Sequence, residues 1–181
     1  MADQSLAPST QLFGTRIESL LAKKGSLLVK IFHSLGSAPA SFGGSIAVST
    51  LRLFQPGAVD EVSDGIRLEV SEGGQSEANH TTLVDLDEVD SLVPGLEYMM
   101  SLVRQCADHK GDYTEVIFST KGNLQVGFYV GEGTKHLQCF VRSGHCTAYL
   151  PFSSLSLFRD LLVAGQCYLK SQPVIHPGFG Q

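Results

Sequence analysis

The sequence predicts an α+β protein in which antiparallel sheets pack against two main helices. Three observations carry that prediction. The stretch from Thr81 to Lys110 is the longest helical pattern in the chain, with Leu86, Val89, Val93, Leu96, Met100 and Val103 recurring at spacings of three and four. Strand-like alternation flanks it on both sides, as in Ile66, Leu68 and Val70 before it and Leu124, Val126, Phe128 and Val130 after it. A shorter apolar stripe of Leu155, Phe158, Leu161 and Leu162 then follows, so the period changes from two to about 3.6 twice along the chain.

In chain order, residues 1–12 are polar and read as a flexible N-terminal segment. The first half spans 13–110. Arg16 to Ala22 reads as a short helix, Lys23 to Ser26 as a turn and Leu27 to His33 as a strand; a single helix broken at Gly25 is the alternative. Gly36 to Gly44 reads as a loop by composition. Ser45 to Phe54 reads as a strand with Ile46, Val48, Thr50, Arg52 and Phe54 on one face and Leu51 and Leu53 on the other, which predicts cover on both sides. Gln55 to Ser63 is a connection and Ile66 to Val70 a half-exposed antiparallel strand. Ser71 to His80 is a polar loop delivering Thr82-Leu83-Val84, a short fourth strand, into the helix at 86–106. Asp85 or Asp87 is suited to accept that helix's first N–H groups, and Pro94-Gly95 predicts a kink rather than a break because the apolar spacing continues through it.

The second half spans 111–170. In Tyr113 to Ser119, Thr114, Val116 and Phe118 alternate with Glu115, Ile117 and Ser119, and Lys121-Gly122-Asn123 is a hairpin connection to the strand 124–130. Gly131 to Thr134 turns the chain into a strand from Lys135 to Arg142, with Leu137, Cys139 and Val141 facing one way and His136, Gln138 and Phe140 the other. Ser143-Gly144 is a tight turn, and Cys146 to Leu150 pairs back. A helix at 154–164 follows, capped by Ser153 or Ser154 and ended or weakened at Gly165, and the tail 171–181 reads as extended. The two halves share one order of elements, with Thr81 to Leu86 and Thr147 to Phe152 in equivalent places. That order points to an internal duplication of a three-to-four-strand-plus-helix unit within one compact domain; two convergent meanders would give the same pattern.

Composition narrows the function classes. Of 181 residues 43% are hydrophobic, but only 17% are charged, against a usual quarter or so. A surface short of charge must be covered by Ser, Thr, Gly and Gln or by another subunit, which favours a homo-oligomer or a protein partner. Thirteen Lys and Arg against eighteen Asp and Glu give a net charge of -5, which disfavours a nucleic-acid backbone as main partner. Four cysteines are too few for a disulfide scaffold and read as reduced thiols. The N-terminus lacks a signal-peptide pattern and no apolar run is long enough for a bilayer, so the expectation is a cytoplasmic protein with no membrane role.

No motif carries chemistry, and the sequence predicts no catalytic residues, no metal and no cofactor. Among His136, Cys139, His145 and Cys146, alternation sets the first two on opposite strand faces and adjacency separates the last two, so Cys139 reads as core and the histidines as surface. The acids Asp85, Asp87, Glu88 and Asp90 lack the pattern of a calcium loop and read as capping and solubility. The glycine pairs read as hairpin turns. Aromatics say more: Phe128 and Tyr129 are neighbours on one strand, so one of them points away from the core, and Phe140 opposes the Leu137-Cys139-Val141 face.

By arrangement, the pair of strand-plus-helix units resembles the Whirly and PUR-type single-stranded nucleic-acid-binding folds. Thr147-Ala148-Tyr149-Leu150-Pro151-Phe152 to Phe158-Arg159-Asp160-Leu161 looks like the end of a PUR repeat. That resemblance implies single strands bound across a sheet and dimerisation through the helices. The residues themselves favour a non-catalytic protein–protein interaction or self-assembling structural or adaptor protein. The alternative is a single-strand nucleic-acid binder using Tyr129, Lys135, Phe140 and Arg142, and a small enzyme with an unrecognised site is the third class.

Overall fold

A computed structural model describes residues 14–58, 62–74, 78–106, 113–131 and 137–173. The segment 1–12, residues 132–136 of the expected turn and following strand, and the tail beyond Pro173 lie outside the described residues. The elements are α1 (Arg16–Leu21), β1 (Val29–Pro39), β2 (Gly43–Phe54), β3 (Val62–Gly73), β4 (Asn79–Asp85), α2 (Leu86–Cys106), β5 (Thr114–Ser119), β6 (Gln125–Val130), β7 (Leu137–Ser143), β8 (Cys146–Leu150) and α3 (Phe152–Ser171). They form two four-stranded antiparallel sheets in the orders β1-β2-β3-β4 and β5-β6-β7-β8. This is the expected α+β architecture, and the repeated order is consistent with a duplicated strand-helix unit.

Several elements extend beyond their sequence signals, because main-chain pairing continues where side-chain alternation fades. The stretch expected to be a loop from Gly36 to Gly44 is mostly strand: β1 runs to Pro39 with a register shift between Ser34 and Gly36, and the chain turns only at Ala40 to Phe42. Phe42 and Gly43 take positive φ there, which makes the reversal tight. Likewise β3 reaches from Val62 to Gly73, paired with the 12-residue β2 on one side, and β4 runs from Asn79 to Asp85, paired with β3 on the other. The both-sided cover expected for β2 holds from Thr50 to Phe54. There Ile17 and Leu20 of α1 close over Leu51 and Leu53, while Thr50 faces α3.

Helix α2 runs without interruption through Pro94. Its buried face centres on Val89, Leu92, Leu96, Met99 and Val103, a slight rotation from the expected stripe that leaves Val93 and Met100 at its flank. Gly95 is a point of close approach, since a Cβ there would stand 2.8 Å from the Phe118 ring. The acids at its start also tie down other elements, while Glu88 accepts the Asp85 N–H at 3.4 Å within the helix's own first turn. The Asp85 carboxylate accepts the Arg16 and Ile17 N–H groups at 2.7 and 3.2 Å and so anchors the start of α1. Glu88 accepts the Lys121 N–H at 2.7 Å, and Asp90 accepts from Gln166 and Lys170 of α3. Asp87 sits 2.7 Å from Arg16 and 3.8 Å from Lys121. Partial burial works to raise its carboxyl, and those two cations outweigh it and hold it below its ordinary value.

Helix α3 departs most from the sequence reading. It begins at Phe152 with Pro151 as N-cap, so Ser153 and Ser154 lie inside its first turn and do not cap it. Gly165 does not end it either: the helix continues to Ser171, and Gly165 is buried where α3 meets the first sheet. A Cβ at Gly165 would stand 2.6 Å from Ile66 Cδ1 and 2.8 Å from Leu35 Cδ1. The helix of the second half thus packs on β1, β2 and β3 of the first, while α2 reaches β5 and β6. One apolar cluster results, joining Ile46, Val48, Ile66 and Leu68 to Leu124, Val126, Phe128, Phe158 and Leu162.

Arg52 fixes the far end of α3. Its guanidinium forms two 2.8 Å hydrogen bonds to Asp64 and donates to the Leu169 and Pro173 carbonyls at 3.4 and 2.9 Å. The Asp64 hydrogen bond raises the Arg52 pKa against the cost of burial. Removing one member of a largely buried pair leaves a poorly compensated charge. Arg52→Ala is therefore expected to lower stability by about 3 kcal/mol, read as a lower denaturant midpoint with an unchanged slope. Gly165→Val is expected to cost about 1–3 kcal/mol by overpacking, despite the better helix propensity of Val.

Candidate binding surface

The outer face of the second sheet is set by strand alternation. On β6, Val126 and Phe128 are fully buried and Tyr129 points the other way, as the adjacency of the two aromatics required. On β7, Cys139 and Val141 face the core, which places Phe140 and Arg142 beside Tyr129 on the outer side. The structure therefore brings together three of the four residues singled out in the sequence, Tyr129, Phe140 and Arg142. The fourth, Lys135, lies outside the described residues.

Their geometry corrects the expectation for Phe140. It is fully buried, not an open stacking surface, although it belongs to the outward face. Its ring lies across Gly127, its cross-strand partner, where a Cβ would come within 2.9 Å of the ring. An aromatic that fills the gap over a strand glycine shields the main chain the glycine leaves bare. The Arg142 guanidinium covers the other side at 5.0 Å from the ring centroid, held by hydrogen bonds of 3.3 Å to Gln125 and Thr147. Tyr129 lies 6.3 Å from Phe140 and 6.1 Å from Tyr113 between ring centroids. Tyr113 and Ile117 are 56% and 42% exposed, which makes them, with Tyr129, the accessible part of the surface. Tyr113 and Gln125 were missed in the sequence. Tyr113 was legible, since it continues the Glu115-Ile117 face by one step of two.

Comparison of the two sheets explains why this patch is open. Pairing register aligns Leu83 with Tyr149, Arg67 with Phe140 and Ser49 with Gly127, and so places Leu51 and Tyr129 in equivalent positions. In the first sheet α1 covers that position, packing Ile17 and Leu20 on Leu51 and Leu53. Among the described residues no helix stands over Tyr129 in the second.

Among the described residues the cysteines and histidines of the second sheet form no common site. Cys139 and Cys146 are buried in the shared core, His145 is exposed, and His136 lies outside the described residues. His80 packs over Gly144 with Nδ1 2.8 Å from Ser143 Oγ, and His145 meets its ring edge-on at 5.8 Å. Ser143 is fully buried, so this pair joins β4 to the second sheet and offers no accessible nucleophile. Among the described residues no group of three or more His, Cys, Asp or Glu is placed to hold a metal, and no helix is long and apolar enough to cross a membrane. No protein-family model, curated protein or solved structure matches the chain.

Burial pushes the Cys139 thiol up to about 11 and raises that of Cys146, with Glu72 adding to the second. A folded pKa above the unfolded value gives stability that is complete below the unfolded pKa and lost as pH rises toward the folded one. The thermal midpoint is expected to fall between about pH 8.5 and 11, and Cys139→Ala is expected to remove part of that dependence. Maleimide at neutral pH is expected to modify the exposed Cys167 first and to reach Cys139 and Cys146 only in denaturant.

Proposed function

We propose that the chain is a non-catalytic protein-binding module, an adaptor or structural protein, whose contact surface is the outer face of the second sheet. The observation that carries this reading is the open aromatic patch at Tyr113, Ile117 and Tyr129, in the position that α1 covers on the first sheet. A partially exposed aromatic cluster backed by a rigid sheet suits the anchor residues of a protein interface, where Tyr and Arg dominate the binding energy. The low charged fraction, 17%, supports a contact made through apolar surface.

A second reading, single-stranded nucleic acid stacked across the same face, draws support from Tyr129, Tyr113 and the Arg142 cation. Against it stand Glu115 beside Tyr113 on that face and the net charge of -5. Polymer electrostatics separates the two. Peptides selected by display on the purified chain are expected to be apolar and aromatic, to change little in affinity between about 50 and 500 mM salt, and to lose at least about tenfold in Tyr129→Ala. A labelled single-stranded oligonucleotide is expected not to bind. Micromolar or tighter oligonucleotide binding that falls steeply with salt and is lost in Tyr129→Ala and Arg142→Ala would replace the protein-binding reading with the second one.

A further inference from the structure

The four sheet edges are not treated alike. The β8 edge is occupied by the rest of the chain: Tyr149 O accepts the Ser41 N–H at 2.7 Å, and the Thr147 N–H donates to Glu72 at 2.8 Å. Two of the turns of the second sheet meet β4. The β5–β6 turn takes the Thr82 hydroxyl on Gly122 O at 2.8 Å, and the β7–β8 turn packs Gly144 against His80. At β5 the edge strand is short, six residues, with the exposed Glu115 at its middle. Only β1 differs. It is 11 residues long, and among the described residues it pairs with β2 alone.

An unpaired edge of that length is a template for another strand unless something blocks it. The bulge between Ser34 and Gly36 and the terminal Pro39 blunt its far part. The straight part, Val29 to Ser34, has Lys30 as its one full charge and presents Ile31 and Phe32 at 45% and 52% exposure, with Leu27 just ahead at 71%. Its two faces are firmly placed. His33 stacks on Tyr168 of α3 with ring centroids 4.1 Å apart and a 5° interplanar angle, and Ile31 lines the same hollow with Arg52 and Leu169. Phe32 and Lys30 lie on the opposite side with Leu51, Leu83 and Arg67.

We infer that β1 pairs antiparallel with β1 of a second copy, joining two first sheets into one continuous eight-stranded sheet about a two-fold axis at Phe32. An isologous contact requires a segment complementary to itself, and this one is. With Phe32 opposite its own copy, Ile31 faces His33 and Lys30 faces Ser34, each pair on one side of the sheet. The two lysines never stand opposite each other, so no like charges meet across the ladder. Apolar side chains half-exposed in one copy gain a partner, and the edge main-chain groups, which face no other strand among the described residues, pair across the axis. This surface is separate from the outer face of the second sheet, so the inference stands or falls independently of the proposed function.

Light scattering over a dilution series is expected to give twice the chain mass for the wild type. Phe32→Lys is expected to raise the dissociation constant by at least about tenfold, because it sets two charges together on the axis, while Tyr129→Ala leaves it unchanged. Phe32 is half-exposed, and an unchanged thermal midpoint of the diluted monomer would show that the variant still folds. In a Cys167→Ser background, Phe32→Cys is expected to form a covalent dimer with a short bifunctional maleimide. The Phe42→Cys variant, at an exposed turn beyond the far end of β1, and the Cys167→Ser parent are expected to stay single. A wild type that is monomeric at about 100 μM, or a dimer indifferent to Phe32→Lys, would overturn the inference. A dimer lost in Tyr129→Ala but not in Phe32→Lys would also overturn it and assign self-association to the second sheet.

Discussion

The exchange of helices between the halves is the constraint on which the rest of this structure depends. A four-stranded sheet with one apolar face needs a layer over that face, and one helix is too narrow to cover a long sheet alone. Here α3 lies on β1, β2 and β3, the sheet made by the other half, and α2 reaches across to β5 and β6. Gly165 permits the first approach and Gly95 the second, since a side chain at either would occupy space already held by Ile66, Leu35 or Phe118. The two halves consequently share one core, and neither sheet has its inner face buried without the helix of the other.

Polar groups pin this arrangement at its margins. Arg52 and Asp64 hold the end of α3, and Asp90 holds its flank through Gln166 and Lys170. Asp85 fixes α1, and Glu88 fixes the β5–β6 turn. The acidic run at the head of α2 is thus a junction where three other elements are tied down. Each carboxylate meets a main-chain N–H or a cation, which leaves no set of free oxygens converging on one point.

The outer faces carry what the core does not use. In the first sheet α1 is folded back over Leu51 and Leu53, and in the second the corresponding position is a tyrosine in a row of aromatics. A scaffold of two sheets with the same strand order can thereby present one face closed and one open around a shared core. Phe140 belongs to the scaffold of the open face: it fills the space over Gly127, meets the Arg142 guanidinium and lies beside Tyr129.

How much of this was legible in the sequence depends on the range of the interaction. Local periodicity determined the fold class, the bounds of α2, the hairpin at Lys121 to Asn123 and the division of Phe128 from Tyr129, because side-chain direction follows residue spacing within one element. It also placed Tyr129, Phe140 and Arg142 on one face. Spacing could not give the ends of β1 and β3, since partner strands extend a ladder past the point where alternation stops. Nor could it separate a glycine that ends a helix from one that admits a neighbouring sheet: Gly165 has the same local sequence in either role, and only the approach of Ile66 and Leu35 decides between them. The burial of Phe140, the anchoring of the first turn of α1 by Asp85 across 69 residues and the cover of Leu51 by α1 are contacts between distant parts of the chain. Tertiary structure alone decided them, because packing selects among side-chain environments that local propensity leaves equivalent.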